Sequence, residues 1–131
     1  METRRQDEPA FDEQARKASL DDLPVVVARA REILGPKVLA YIGHATQTRA
    51  VREWISGAVE LDAETQRRLR AACYSAVLLH EREGKATVQS WFVAMVPELD
   101  DASPAGLLRD RTLVNAIDRV ERAARNFWVN G

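Results

Sequence analysis

Arg49 and Arg52 are the residues of this 131-residue chain whose type and spacing best fit a chemical task. Each guanidinium carries five donors in a planar fork, so two of them one helical turn apart can hold phosphate oxygens or reach guanine edges bidentately. Just before them, Thr46, Gln47 and Thr48 stand where a helix would begin, and backbone N–H groups at a helix N-terminus favour an anion such as phosphate. Lys37 and Ser56 complete the candidate DNA-binding set. Within 36–57 the bases are Lys37, Arg49 and Arg52 and the acid is Glu53, so this stretch is modestly basic. The chain as a whole has 19 Lys and Arg against 20 Asp and Glu, so a nucleic-acid reading rests on local charge and not on bulk charge. The same pattern also describes the solvated face of an ordinary helical pair. His44, in the turn, is placed either to contact phosphate or to have no role.

Catalytic and metal chemistry find little support. His44 and His80 are far apart in sequence, and Cys73 falls on an apolar stripe. There is no zinc-type spacing, no Gly-rich phosphate loop and no nucleophile elbow. Asp100 and Asp101 precede the helix start at Ser103, where acids are stabilised by the helix dipole, so they read as structural. The expectation is a binding protein and not an enzyme, with no catalytic residue, cofactor or metal. A single cysteine rules out an intrachain disulfide and fits a reducing compartment. No segment approaches the roughly 18 apolar residues of a membrane span, and the N-terminal residues lack a signal peptide's apolar run. The expected location is the cytoplasm, with no membrane partner.

These side chains need elements to position them. Residues 1–22 hold seven acids and four bases with few large apolar groups, which predicts a flexible charged arm, at most a frayed helix over 12–17. Helical periodicity begins at Leu23, with Val26, Val27, Ala30, Ile33 and Leu34 on one face, and stops at Gly35 and Pro36. A short helix follows over 36–42 and another over 47–56, separated by a turn in which Gly43 would relieve a positive φ. On a wheel of about 100° per residue, Val51, Trp54 and Ile55 cluster, which turns Arg49, Arg52, Glu53 and Ser56 outward.

A long helix is expected over 63–83, capped by Asp62 and closed by Gly84, with Leu69, Ala72, Cys73, Ala76, Val77, Leu79 and His80 inward. Thr87 can cap the next, with Val88, Trp91, Phe92 and Met95 as its stripe and Pro97 as its breaker. Ser103 and Pro104 open a short helix to Arg109, and the last runs over 113–127 with Phe127 inward. No stretch keeps a period of two. The fold class is therefore all-α, a multi-helix bundle.

Three stretches together resemble the antitoxin Xre/MbcA/ParS family of bacterial proteins, notably its actinobacterial Xre-type regulators. They are LAYIGHATQTRAVREWISG at 39–57, RRLRAACYSAVLLHEREG at 67–84 and TVQSWFVAMVPELDDASPAGLLRD at 87–110. The third is the most specific: an aromatic pair, a Pro, a Leu-Asp-Asp turn, then Ser-Pro and a Leu-Leu-Arg helix. Val96 departs from the pattern, since many members have Asn before that Pro. The resemblance covers about 25–129 and implies a helix-turn-helix region at 23–84 that binds operator DNA. It also implies a toxin-binding-like helical region at 85–131 that neutralises a partner, typically a RES-domain toxin. Dimers are usual in the family.

Two functions follow. The first is a DNA-binding transcriptional regulator that uses Lys37, Thr46, Gln47, Thr48, Arg49, Arg52 and Ser56. The second is a protein-interaction module without DNA binding, with Trp91, Phe92, Leu99, Leu107, Leu108 and Arg109 as its partner surface. The aromatics Trp91, Phe92 and Trp128 fit either such a surface or internal packing.

Overall fold

Apolar spacing and the punctuation by Gly and Pro set the order of elements. The structure is a computed structural model that describes residues 2–131, with side chains from residue 6 onward. The helices are α1 (Glu2–Ser19), α2 (Leu23–Leu34), α3 (Pro36–Ile42), α4 (Arg49–Ser56), α5 (Ala63–His80), α6 (Lys85–Val93), α7 (Pro104–Arg109) and α8 (Ala116–Asn130). A 3-10 turn at Pro97–Leu99 precedes α7. Among the described residues there is no strand, and a lone bridge joins Val96 to Ala102. The protein is all-α. None of its described helices is long and apolar enough to cross a membrane.

The middle of the bundle is α5. Asp62 caps it, accepting from the Thr65 amide at 2.7 Å. From Leu69 to Leu79 it is buried almost all round, because α1, α2 and α8 pack on it along its length and α3, α6 and α7 touch it as well. Ala71, Ala72, Ser75 and Ala76 are small enough to admit those neighbours closely. Sequence periodicity expects one inward stripe ending in Val77 and His80. Val77 is only partly buried and His80 is exposed, while Tyr74 and Leu78, off that stripe, are fully covered.

Residues 1–22, expected to form a flexible arm, instead contain α1, which packs against α5 and α8. Its apolar contribution is small: Ala15 is buried and Phe11 rests on Trp128 with ring centroids 5.5 Å apart. Polar groups supply the rest of the seam. Arg16 grips Glu121 with two hydrogen bonds of 3.1 and 2.7 Å and lies over the Tyr74 ring at 4.0 Å, and Asp12 accepts from the Tyr74 hydroxyl. A segment rich in charge reads as disordered when its charges are assumed to face water. Here Arg16 and Asp12 face complementary groups on α8 and α5, while Glu13 and Lys17 stay in water.

Two further boundaries differ from expectation. Helix α6 ends at Val93, where the chain goes extended at Ala94, three residues ahead of Pro97. Met95 therefore lies beyond the helix and is 77% exposed, off the stripe assigned to it. In α8, which starts at Ala116 and not at 113, Trp128 is the fully buried aromatic and Phe127 is half-buried. The cover over Trp128 comes from α1 and from the Arg82 guanidinium, 4.2 Å above its ring. One hydrophobic core runs through residues on both sides of Gly84, and α2 meets α6 as α5 meets α8.

Candidate nucleic-acid interface

Helices α3 and α4 are joined by residues 43–48, a turn longer than the three to four residues or so of a compact helix-turn-helix. Helix α4 packs on α2 and α3 through Val51 and Trp54, both buried, with Ile55 partly so. Arg49, Arg52, Glu53 and Ser56 face solvent, as do Thr46, Gln47 and Thr48 ahead of them. Gly57 closes the helix in the left-handed region, at φ 77. The Ser56 hydroxyl is taken up locally, donating to the Glu53 carbonyl at 2.9 Å and accepting from the Ala58 amide. The Thr48 side chain makes no capping bond and stays outward.

Gly43 has a different role from the one its sequence context predicts. Its φ is −86, and the positive φ of the turn falls on the next residue, His44, at 63. A Cβ on Gly43 would lie 2.5 Å from the Trp54 indole. Glycine is needed there so that the far end of the indole can approach the backbone at the end of α3.

The turn is fastened from outside. Its His44 Nε2 donates to the Arg109 carbonyl at 2.6 Å. In return, Arg109 Nη1 donates to the Tyr41 carbonyl at 2.6 Å, and its guanidinium lies 4.6 Å from the Tyr41 ring centre. Nearby, Asp110 accepts from the Thr112 amide and hydroxyl, which hold its carboxyl below the usual range. Asp62 joins α5 to the same region: its hydrogen bonds from Thr65, helped by Arg111 at 3.0 Å, hold its carboxyl down at about 2.

The cations of the described residues fall into two groups. Most arginines are committed within the molecule. Arg68 is buried between Glu64 and the Leu107 and Leu113 carbonyls, Arg70 donates to the Ser19 and Asp21 carbonyls, and Arg119 and Arg122 pair with Asp100 and Asp118. Arg49 and Arg52 make no ion pair or side-chain hydrogen bond with any described residue, and on α2 exposed Arg31 is alike in this. Lys37 is also exposed and uncommitted, but it sits on the first turn of α3, remote from the turn. There it lines a shallow groove with Val38, Tyr41, Val93, Ser103 and Ala105. The structure thus brings Thr46, Gln47, Thr48, Arg49 and Arg52 together on one exposed face, with Ser56 at its far end and Lys37 apart.

The partner surface read from sequence is corrected. Trp91, Phe92, Leu99, Leu107 and Leu108 are all buried. Trp91 meets Phe92 edge-on at 5.2 Å and stacks on Phe127 at 6.3 Å. Neighbouring residues on one helix can both be internal here because α6 is flanked by α2, α5 and α7 at once. Arg109 is committed to Tyr41. Among the large apolar groups of 85–131, those left outside are Val93, 62% exposed, Met95 and Val114. Asp100 and Asp101 lie in the left-handed region, at φ 57 and 64, within the turn closed by the Val96 bridge, a conformation that Asp tolerates better than most residues.

Other ionisable groups are arranged for structure. Burial raises the Cys73 thiol to about 11, so it stays protonated at neutral pH. Burial and the Asp12 carboxylate raise the Tyr74 phenol to about 12. Among the described residues no three His, Cys, Asp or Glu converge as a metal site would require.

The described residues define an all-α bundle that presents a short helix–turn–short helix unit with its outer face cationic. A scan against protein-family models finds no match, and neither do searches of curated proteins and of solved structures.

Proposed function

We propose that the chain binds double-stranded DNA with α4 as the inserted helix, acting as an operator-binding regulator of the antitoxin type. The observation that carries this reading is the uncommitted pair Arg49 and Arg52, exposed on a helix whose other face is anchored by Val51 and Trp54. A guanidinium without an internal acceptor keeps its donors for a polyanion. Thr46, Gln47 and Thr48 would meet phosphate at the start of α4, and the two arginines would meet base edges or phosphates further along. On the family resemblance, the same reading makes the protein a cytoplasmic homodimer that neutralises a RES-domain toxin. Val93 and Met95 would then serve that interaction in place of the buried aromatics.

The test is binding to a duplex taken from upstream of the chain's own coding sequence, titrated across salt. Arg49→Ala with Arg52→Ala is expected to weaken binding at least about tenfold and to flatten the salt slope by about 2, one for each phosphate no longer neutralised. An unchanged affinity and slope would remove α4 from the groove.

A further inference from the structure

We propose that Arg109 is a positioning residue for DNA binding, clasping the turn between α3 and α4 so that α4 is held at a fixed angle to the body; this rests on the reading of α4 as the inserted helix. Helix α4 is only eight residues long, and the turn before it is the longest irregular stretch of the unit. Recognition demands that such a helix be held to a fraction of an ångström and within about 10–20°. Its own anchors, Val51 and Trp54, tie it to α2 and α3, and the amides of residues 43–45 bond back to α3, but no amide of residues 46–48 has a backbone acceptor among the described residues. His44 adopts a left-handed backbone there, which a non-glycine residue keeps only when its surroundings impose it.

Arg109 supplies that imposition twice. Its carbonyl accepts a hydrogen bond from His44 Nε2, and its guanidinium donates to the carbonyl of Tyr41, in the last turn of α3. The face of the Tyr41 ring limits where the guanidinium can lie. Helix α7, which carries Arg109, is itself fixed: the Ser103 hydroxyl accepts from the Gly106 amide at 3.0 Å, Leu108 is fully buried, and Arg68 holds the Leu107 carbonyl. The path from core to turn is continuous, and it ends at one residue in two hydrogen bonds of 2.6 Å, one accepted and one donated. The Arg109 guanidinium is held against Tyr41 by one hydrogen bond and the ring face, so on this proposal it acts through the turn and not on the nucleic acid.

Two measurements test this, on Arg109→Ala and on Arg109→Lys, which keeps a donor for the Tyr41 carbonyl. The first is amide hydrogen exchange of the free protein. Arg109→Ala should speed exchange at residues 43–45, whose amides bond to α3 carbonyls, about tenfold or more while α5 keeps its protection, and Arg109→Lys should restore most of the protection. The second is affinity for the upstream duplex across salt. Arg109→Ala should weaken binding about tenfold with the salt slope unchanged, whereas removing a cation that neutralises a phosphate lowers the slope by about 1. A reduced slope, or exchange that rises throughout α5, would overturn the positioning role, and so would unchanged exchange at the turn. If the wild-type protein bound no duplex while Arg109→Ala still loosened the turn, the clasp would stand and the DNA-binding reading would fall.

Discussion

Residues 36–57 and 87–110 each carry a conspicuous pair of large side chains, and the fold disposes of them in opposite ways. In the first stretch Arg49 and Arg52 share one face of α4 and stay in water without a partner among the described residues. In the second, Trp91 and Phe92 are neighbours on α6, and both are buried. The difference lies in how many helices surround each element. Helix α4 packs on α2 and α3 and keeps a free side, whereas α6 lies among α2, α5 and α7. Spacing along a helix tells which residues share a face. It does not tell how many faces will be covered.

The sharpest way to break this contrast is to truncate an aromatic. Phe92→Ala should cost about 3–5 kcal/mol, read as a lower urea midpoint, because it opens a cavity in the shared core. A midpoint that did not move would return residues 91–92 to the surface. Next comes Gly43→Ala, where the new methyl would meet the Trp54 ring at 2.5 Å. Pushing the indole aside should cost about 1–3 kcal/mol, measured the same way, and should disturb the fluorescence of Trp54.

Asp62 tests the link between the two stretches, since it caps α5 and receives Arg111 from just beyond the second. Its folded-state value near 2 lies below the ordinary 3.8, so its contribution is complete above about pH 4 and is lost as pH falls through 2. Stability measured from pH 5 down to pH 2 should fall less steeply in Asp62→Asn than in the wild type. The smallest expected effect is that of Arg49→Ala with Arg52→Ala on stability. The urea midpoint should stay in place while duplex affinity drops, which would separate the binding face from the core.

How far the sequence could be read follows the same division. The inward face of α2, Val26, Val27, Ala30, Ile33 and Leu34, is buried as its spacing predicts. The outward turn of Arg49 and Arg52 is likewise as the wheel predicts. The clasp at Arg109 was not legible, because it joins residues 65 positions apart and its bond from His44 ends on a backbone carbonyl that every residue possesses. Arg68 gave no signal either. It sits among other charges at the start of α5, and only the approach of residues 107–113 buries it. The sequence leaves Trp128 open between surface and core, because its cover is supplied by α1, a segment whose charge predicts a flexible arm.

By itself, the sequence determined that the chain is helical, where most of its breaks fall and which side of each simple helix turns inward, because these depend on backbone preferences and on residues within a few positions of one another. Tertiary structure decided which charges are free and which are consumed, whether an aromatic is surface or core, and what holds the turn before α4. Each of those depends on the identity of a neighbour brought in from far along the chain, and local pattern carries no record of that neighbour.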